Sequence, residues 1–316
     1  MTVKKEFTIA HLSDLHLSPE FFPDRSLWFR SVLDHLLLIK VDHIIITGDV
    51  TNQAKKSEFE EFREIVQQYH LMDSKKLTVI IGNHDIFGGP YTAEDVLEFP
   101  GWCKATKYEE KIKEFYQSTK ETFYGSKFLS RDSIFPFVKI LGDIAIVGIN
   151  SIARWDSFRN PLGSNGMVDD EQFDQLESFL QSSTLKGKRI FIAIHHHFHK
   201  TSFTACRSKL ERLWTTIESS TMKLHKKKRL LKLFHQSKIE GVLHGHVHHS
   251  DEYVRRKIQC FNAGGTLIPS KNAERSCHLF QVKGNEVLRR SHSLTPSIFD
   301  AATSTVKQRT RLLAVA

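Results

Sequence analysis

Five apolar runs of strand length are spread along the chain, and each is followed by a cluster of polar residues. The runs are Phe7–Leu12, His43–Ile46, Leu77–Ile81, Ile190–Ile194 and Gly241–Leu243. They are mostly apolar along their whole length, which is typical of strands buried within a sheet. The pattern therefore predicts five buried strands.

Helical patterns separate several of these strands. Apolar residues recur at helical spacing in Ser26–Ile39, Ser57–Tyr69 and Gly166–Leu180. Further strands are predicted at Ile144–Asn150, Gln259–Ile268 and Cys277–Val282. Strands that alternate with helices form βαβ units, so we expect an α/β fold, with the last two strands contributing to a second sheet.

The polar clusters contain residue types that bind transition metals. In chain order they are Asp14-Leu15-His16, Gly48-Asp49, Gly82-Asn83-His84-Asp85, His195-His196-His197 and Gly245-His246-Val247-His248. Ligands of open α/β sheets bind at the carboxyl ends of the strands, so these clusters should converge. Imidazole and carboxylate groups suit Mn, Fe, Zn and Co ions, and an aspartate can bridge two of them.

The number of candidate ligands indicates a site for two ions. The candidates are Asp14, His16, Asp49, Asn83, one of the three histidines at 195–197, His246 and His248. Two ions roughly 3.5–4 Å apart can share a hydroxide at neutral pH and bind both oxygens of an in-line phosphoryl displacement. The sequence therefore predicts phosphoester hydrolysis with two divalent ions, for which Mn²⁺ is expected and Fe, Zn and Co are alternatives.

Each cluster has a simpler interpretation when it is taken alone. An isolated Asp-x-His is more often part of a loop, and an isolated Gly-Asp marks a turn. Only the ordered set of five favours a metal site. Within the triple histidine, an extended backbone would turn His195 and His197 to one side and His196 to the other, so the pattern leaves the ligand open.

The five clusters together resemble the calcineurin-like metallophosphoesterases, whose pattern is D-x-H, G-D, G-N-H-[DE], H and G-H-x-H. The resemblance extends from Phe7 to Leu267 and implies a four-layer αββα sandwich of two mixed β-sheets flanked by helices. It implies that one ion is bound by Asp14, His16, Asp49 and His248, and the other by Asp49, Asn83, His195 and His246. It favours His195 over His196, because the family's ligand lies where the strand ends.

The same resemblance assigns catalytic roles to two residues that are not metal ligands. His84 is expected to face the substrate phosphate, where it would stabilise developing charge or help the leaving oxygen depart. Asp85 is expected to orient His84, because a carboxylate on one ring nitrogen fixes the tautomer.

Two departures from branches of the family narrow the expected substrate. Cyclic-nucleotide phosphodiesterases usually carry prolines after the histidine pair, whereas this chain has His197-Phe198-His199. Protein Ser/Thr phosphatases carry an arginine before Gly-Asn-His, where this chain has Ile81. A phosphoprotein substrate is therefore not expected.

Length and composition predict one enzymatic domain. The 316 residues are 40% hydrophobic, and no linker rich in Gly, Ser or Pro divides them. We expect a domain over residues 1–290 and a C-terminal tail over 291–316. The four cysteines have no C-x-x-C spacing, which fits a reducing compartment. No apolar run approaches the roughly 18–20 residues that span a bilayer. We therefore expect a cytoplasmic protein, either free or peripheral on the cytoplasmic face of a membrane.

Two inserts exceed what the metal site requires. Residues 87–137 are rich in aromatic side chains that could line a groove or could simply form core. Residues 201–236 mix basic and apolar residues, and the segment 223–234 is expected to lie on an anionic membrane surface or to be an ordinary helix with a basic side. The expected substrate contacts are Asn150, His196, Lys226 and Arg229.

The net charge of +9 implies an anionic partner. The mixture of basic residues with leucines favours a lipid over a nucleic acid. Among metallophosphoesterases the chain resembles the UDP-2,3-diacylglucosamine pyrophosphatases of lipid A synthesis, which implies release of UMP and 2,3-diacylglucosamine 1-phosphate. A cyclic-nucleotide or glycerophosphodiester phosphodiesterase is the alternative, followed by a metal-binding scaffold without catalysis.

Overall fold

The fold was analysed in a computed structural model, which describes residues 6–199, 222–268, 275–284, 286–295 and 298. The first part of the predicted insert 201–236, up to residue 221, lies outside the described residues. The same holds for the tail beyond residue 298.

Fourteen strands and six helices make up the described part of the chain. The strands are Phe7–Leu12 (β1), His43–Thr47 (β2), Leu77–Ile80 (β3), Lys127–Phe128 (β4), Phe137–Leu141 (β5), Ile144–Ile149 (β6), Gly166–Met167 (β7), Arg189–Ile194 (β8), Leu224–His225 (β9), Gly241–His244 (β10), Asp251–Arg255 (β11), Ile258–Asn262 (β12), Arg275–Lys283 (β13) and Glu286–Leu294 (β14). The helices are Pro23–Leu38 (α1), Lys56–Gln68 (α2), Ala93–Ala105 (α3), Tyr108–Thr119 (α4), Asp170–Leu180 (α5) and Lys227–Gln236 (α6). Short 3₁₀ turns follow α4 and α5.

Two large mixed sheets form the centre of the molecule. The first has the strand order β14-β13-β1-β2-β3, and the second has the order β11-β12-β10-β8-β6-β5-β4. Strands β1, β2 and β3 are parallel, as are β6, β8, β10 and β12. The predicted apolar runs are thus found in parallel strands. Both faces of these strands are covered by other parts of the protein, which explains why the runs are apolar along their whole length.

The apolar residues are buried in two clusters. One cluster joins the inner faces of both sheets, where Phe191 and Phe280 meet with ring centroids 5.4 Å apart, and continues to α1 and α2. The other packs α5 and α6 against the outer face of the second sheet, with Phe173 and Phe234 among its members. The layers therefore run helix, sheet, sheet, helix, and the predicted αββα sandwich is confirmed.

Several boundaries differ from the predicted ones. Residues Gly166 and Met167 form β7, which pairs with β9, so the helix predicted from Gly166 begins only at Asp170. The side chain of Asp169 accepts a hydrogen bond from the Gln172 amide and caps that helix. Strand β14, which the pattern did not predict, runs from Glu286 to Leu294.

The aromatic insert 87–137 is largely core. Its buried rings are Phe87, Phe99, Phe115, Phe123, Phe135 and Phe137. Exposed members include Tyr91 and Trp102. Few of these aromatic side chains are therefore free to line a groove beside the metal site.

The basic and apolar segment 223–234 packs on the protein with its apolar side. Helix α6 buries Leu230, Leu231, Leu233 and Phe234. These side chains are consequently not available to enter a lipid surface, and only the exposed basic side of the helix faces outward. Within the described residues, no helix is both long and apolar enough to cross a membrane.

A buried lysine bridges the two sheets. The Lys139 side chain from β5 is 3% exposed, and its ammonium group donates to the Leu77 carbonyl at 2.6 Å and to the Thr78 hydroxyl at 2.9 Å, both in β3. The same hydroxyl lies 2.8 Å from His43 Nε2. Burial lowers the pKa of Lys139 to about 7, because the charged form is poorly solvated there.

We expect Lys139 to make the free energy of unfolding depend on pH. Between the folded pKa of about 7 and an unfolded pKa of about 10.4, the unfolded chain binds more protons than the folded protein. The free energy of unfolding should therefore increase as pH is raised across this range, and the contribution is lost as pH is lowered through about 7. The slope from one such group is at most about 1.4 kcal/mol per pH unit. Urea unfolding of the wild type and of Lys139→Met at pH 7, 8 and 9 measures it.

The difference between the two proteins isolates this lysine, because buried cysteines and tyrosines titrate in both. The wild type should gain stability over the variant as pH rises. Equal pH slopes in the two proteins would contradict the assignment.

Candidate metal centre

The loops after β1, β2, β3, β8 and β10 meet at one edge of the sandwich and bring all seven predicted ligands together. Backbone hydrogen bonds join the loops: the Asp14 amide donates to the Gly48 carbonyl at 3.1 Å, and the His16 amide donates to the Asp49 carbonyl at 2.9 Å. The Gly245 amide likewise donates to the His195 carbonyl at 3.1 Å. The clusters therefore converge as the strand pattern predicts.

The first group of ligand atoms comes from Asp14, His16 and His248, which lie within 4.8 Å of one another. The Nε2 atoms of the two histidines are 3.0 Å apart. Asp14 Oδ1 lies 3.6 Å from His248 Nε2 and 3.9 Å from His16 Nε2. Asp49 Oδ2 completes this group at 3.7 Å from His16 Nε2.

The second group comes from Asp49, His195 and His246, again within 4.8 Å. Asp49 Oδ2 is 3.3 Å from His195 Nε2. The side-chain oxygen of Asn83 lies 3.0 Å from His195 Nε2 and 2.9 Å from His246 Nδ1. Asp49 thus lies between the two groups, in the place expected of a bridging ligand.

The arrangement of lone pairs at His195 fits a cation. Its Nδ1 lies 2.8 Å from the Thr47 carbonyl, an acceptor only, so Nδ1 carries the proton. In the neutral ring, Nε2 then directs a lone pair at the oxygens of Asp49 and Asn83. Facing lone pairs repel unless a proton or a metal ion lies between them, and neutral imidazole with carboxylate and amide oxygen is a suitable set for a divalent transition metal.

The electrostatics also favour a bound cation. Burial raises the pKa of Asp14 to about 7, because the centre excludes water from the carboxylate. Burial opposes a charge on His195, but the carboxylate of Asp49 outweighs it and raises the pKa of His195 to about 9. A field strong enough to hold a proton on a buried imidazole can equally hold a metal ion.

The other histidine ligands are in the form that metals bind. Burial lowers the pKa of His16 and His246 well below the usual value. Desolvation by the surrounding residues also lowers the pKa of His248 to about 4, although its side chain is 44% exposed. These rings are therefore neutral near pH 7, with a lone pair available for coordination.

Four of the ligand residues have a left-handed backbone. The φ angles are 53° at Asp14, 46° at His16, 51° at Asp49 and 73° at His246. For residues other than glycine this conformation costs on the order of 1–3 kcal/mol and is concentrated at functional sites. The backbone is therefore strained in the places where it aims ligands at the two groups.

Two glycines in the motifs allow the loops to approach the ligands. A Cβ atom on Gly82 would lie 2.1 Å from Asp49 Oδ1 and 2.2 Å from the Asp49 backbone nitrogen. A Cβ atom on Gly245 would lie 1.9 Å from the Ser13 hydroxyl and 2.2 Å from Asp14 Oδ2. Gly82 and Gly245 are thus required because any larger residue would collide with the carboxylates of Asp49 and Asp14.

His84 lies beside the ligands, but Asp85 does not orient it. The His84 amide donates to Asp49 Oδ1 at 2.8 Å, and its ring packs edge-on against His16 with centroids 4.4 Å apart. Its Nδ1 donates to the Asn52 carbonyl at 2.8 Å. Asp85 instead accepts from the Gly82 amide at 2.8 Å and from the amide and hydroxyl of Thr51, each at 2.9 Å.

The expected catalytic role of Asp85 is therefore corrected to a structural one. Its buried carboxylate ties the Gly82 turn to the loop after β2, which holds Asp49 in position. Burial raises the pKa of Asp85 to about 7, with Asp49 adding to the shift. The main-chain carbonyl of Asn52, not Asp85, orients His84. A main-chain atom leaves no signal in the sequence.

The choice within the triple histidine is clear in the structure. His195 faces Asp49 and Asn83, whereas both ring nitrogens of His196 point elsewhere, Nδ1 to the Ser151 hydroxyl at 2.8 Å and Nε2 to the Ser164 carbonyl at 3.2 Å. His196 is completely buried, and its ring lies 4.4 Å from that of His246. It supports a ligand from behind, so the expected substrate contact is wrong for this residue.

The remaining predicted substrate contacts lie away from the metal ligands. Asn150 and Lys226 line a cavity of about 730 Å³ beyond β6 and β7, and none of the seven predicted ligands lines it. Asn150 donates to the Tyr108 hydroxyl at 2.9 Å. Lys226 pairs with Asp170 at 2.9 Å. A substrate contact by either residue would require a ligand that reaches this cavity.

Arg229 has a structural partner on each side. Its guanidinium lies 2.7 Å from Asp170 and 3.1 Å from Asp174, and it stacks 3.6 Å above the ring of Phe173. Arg229 therefore fastens α6 to α5, and the expectation of a substrate contact is not supported. Exposed pairs of this kind are worth little individually.

One charged residue near the centre was not predicted. Arg25 lies in the first turn of α1 and donates from Nη1 to the His16 carbonyl at 2.8 Å. The predicted helix began only at Ser26, whereas the observed one begins at Pro23 and so includes Arg25 in its first turn, where the helix dipole disfavours cations. A basic residue just after the first metal motif is thus a candidate for a role at the site.

Comparisons with known proteins agree with the geometry. Residues 7–250 match the family model described as calcineurin-like phosphoesterase. A search of curated protein sequences gave no match.

Solved structures share the fold at low sequence identity. A purple acid phosphatase from yellow lupin (Lupinus luteus) seeds has a TM-score of 0.58 at 12% identity, over 91% of this chain and 51% of that one. This chain thus spans about half the length of the lupin enzyme. A dimetal phosphatase from Danio rerio has a TM-score of 0.54 at 10% identity, over 90% of this chain and 96% of that one.

A third solved structure with this fold is GAP50 of Plasmodium, described as the anchor in the inner membrane complex. It has a TM-score of 0.53 at 11% identity, over 91% of this chain and 84% of that one. The family match covers most of the sequence and includes all five clusters, and the Asp and His groups are suited to two metal ions. The chain belongs to the calcineurin-like phosphoesterase family.

Proposed function

We propose that the protein cleaves a phosphodiester or pyrophosphate bond at the centre formed by Asp49 and its neighbours. The observation that carries the proposal is the position of Asp49, whose carboxylate lies 3.3 Å from His195 and 3.7 Å from His16 and so belongs to both ligand groups. When two divalent ions are bound, they supply a water of lowered pKa and neutralise the charge of the phosphoryl group.

His84 is proposed to act on the leaving oxygen or on the phosphoryl charge. Because its Nδ1 donates to the Asn52 carbonyl, Nε2 is the nitrogen left for the substrate. A protonated ring would give its Nε2 proton to the leaving oxygen, and a positioned acid of this kind contributes about 10²–10⁴-fold to the rate. The contact of the ring with His16 places it beside the first ligand group.

As substrate we propose UDP-2,3-diacylglucosamine, cleaved to UMP and 2,3-diacylglucosamine 1-phosphate. The net charge of +9 suits an anionic substrate, and the cavity of about 730 Å³ is large enough for a sugar or a nucleotide moiety. Lys228 and Lys232 are exposed on α6, and they would make any contact with an anionic membrane electrostatic, since the apolar side of that helix is buried. Mn²⁺ remains the proposed ion, and a cytoplasmic location the proposed setting.

The first prediction concerns the metal centre. Asp49→Ala should lower the metal content from two ions per chain toward one or none and should reduce hydrolysis of bis(4-nitrophenyl) phosphate by at least about 10³-fold, because both groups lose a ligand. Metal analysis of the dialysed, Mn²⁺-loaded protein and a rate assay measure the two effects. Asp174→Asn is the matched control, since that carboxylate is 70% exposed and only pairs with Arg229. A variant that kept two ions and full activity would refute the bridging role.

The second prediction separates catalysis from a scaffold role. His84→Gln should leave the metal content unchanged and lower kcat by about 10²–10⁴-fold, because a proton donor is lost while the ligands stay. His235→Gln, on the exposed end of α6, serves as the control. If the wild type itself turned over no phosphoester while it bound two ions, a scaffold like the anchor described for the Plasmodium relative would become the better interpretation.

The third prediction concerns the substrate. The Mn²⁺-loaded protein should release UMP from UDP-2,3-diacylglucosamine, and release should be lost in Asp49→Ala. Separation of the nucleotides by chromatography measures the product. Hydrolysis of cyclic nucleotides or glycerophosphodiesters, with no release of UMP, would reject the lipid substrate and keep the reaction class.

A further inference from the structure

Arg25 is a cation fixed at the edge of the first ligand group. It occupies the third position of α1, where the partial positive charge of a helix N-terminus makes a cation unfavourable. No local helical preference therefore accounts for a basic residue here. Its contacts explain the position instead.

Two contacts hold the guanidinium in one place. Nη1 donates to the carbonyl of His16 at 2.8 Å, so the group is tied to the backbone of a predicted metal ligand. The carbon of the guanidinium lies 3.6 Å from the centre of the Phe22 ring, which is a stacking distance. Phe22 in turn packs edge-on against Tyr91 with centroids 5.5 Å apart.

The charge of Arg25 acts on the ligand group and is not neutralised locally. It lowers the pKa of both His16 and His248, behind the larger effects of burial and of neighbouring residues. Burial lowers the pKa of Arg25 itself to about 10, and within the described part of the chain no carboxylate offsets this shift. The group is therefore charged near pH 7, with N–H donors beyond the one used by His16.

The first ligand group, to which Arg25 is tied through the His16 carbonyl, is partly open to solvent. The His248 side chain is 44% exposed although the Asp14 beside it is fully buried. The rings of His84 and His248 pack on His16 with centroids 4.4 and 4.8 Å away. A phosphoryl group that approached from solvent would thus meet His248, in the ligand group whose histidines the charge of Arg25 reaches.

We propose that Arg25 binds a non-bridging oxygen of a second phosphoryl group of the substrate and so selects pyrophosphate-containing molecules over simple phosphodiesters. A planar guanidinium has paired donors that match phosphate oxygens, and its charge adds to that of the metal centre only where the ligand carries additional negative charge. Phe22 and the His16 carbonyl hold the group in position before the substrate arrives, which reduces the entropy lost on binding. The inference rests on the proposed function for one premise, that the centre binds phosphoryl groups.

Calorimetry with two inorganic probes tests the inference without turnover. The Mn²⁺-loaded protein is titrated with imidodiphosphate, a non-hydrolysable pyrophosphate analogue, and separately with orthophosphate. Arg25→Met keeps an unbranched side chain against Phe22 but removes the charge, so imidodiphosphate should bind at least about tenfold more weakly, the loss expected for a charged hydrogen bond. Orthophosphate should change by less than about threefold, because it has no second phosphoryl group.

Two further variants distinguish substrate binding from a structural role. Arg25→Lys should recover part of the imidodiphosphate affinity through its charge, whereas a purely structural role through the fixed guanidinium would not be rescued by lysine. Arg30→Met is the matched control, because that arginine lies in the same helix and bonds to Gln68. It should bind both probes as the wild type does.

The outcomes separate this inference from the proposed function. Equal loss of both probes in Arg25→Met, or a loss of Mn²⁺ from that variant, would overturn the selective role and leave Arg25 as a support for His16. Unchanged imidodiphosphate binding in Arg25→Met would overturn it as well, while the phosphoesterase proposal would stand. A wild type that bound neither probe would refute the premise about phosphoryl groups, and both proposals would fall.

Discussion

The buried carboxylate of Asp49 is the constraint on which the arrangement of this protein depends. Its two oxygens contact the His84 amide at 2.8 Å and the His195 ring at 3.3 Å, and these residues come from loops after different strands of different sheets. A carboxylate that is 1% exposed is stable only with compensating positive charge or hydrogen-bond donors. The loops must therefore close around it, and the two sheets must align so that their strand ends meet.

That requirement explains why the loops are strained. Asp49 has a φ of 51°, and Gly82 must lack a Cβ because one would lie 2.1 Å from the Asp49 carboxylate. The sandwich tolerates these costs because the strands beneath are largely buried and, apart from β3 at the edge of its sheet, hydrogen-bonded on both sides. A rigid scaffold of this kind can hold a few unfavourable backbone angles in place. The strain is concentrated in short loops, while the parallel strands that carry them are regular.

Features that depend on a single strand and on the residues directly after it, such as strand positions and metal ligands, are predicted well from the sequence. The apolar runs at Phe7–Leu12 and Ile190–Ile194 lie within or match observed strands, and the ligands directly after them converge. Predictions that depended on which neighbour a side chain meets were less successful. Asp85 was expected to contact His84, but the nearest acceptor for that ring is the Asn52 carbonyl, and a main-chain atom leaves no trace in the residue pattern.

A second limit is that one pattern can serve two environments. The alternation of basic and apolar residues in α6 fits a helix on a membrane, and it fits equally well a helix whose leucines cover a sheet. Only the tertiary structure shows that Leu230 and Phe234 are core and that Arg229 pairs with α5. The buried Lys139 shows the converse case, since a lysine in a strand pattern is normally assigned to the surface, and here it reaches the carbonyl of Leu77 across the sandwich.

These corrections change where the positive charge of the protein can act. The net charge of +9 implied an anionic partner, but Lys226 and Arg229 are largely matched by Asp170 and Asp174. Charge that is paired on the surface contributes little to a specific site, because solvent and counterions screen it. Arg25 differs in being partly desolvated, fixed by the backbone of a metal ligand and without a carboxylate to offset it among the described residues. We therefore assign the proposed selectivity for an anionic substrate to this single oriented guanidinium rather than to the number of basic residues in the chain.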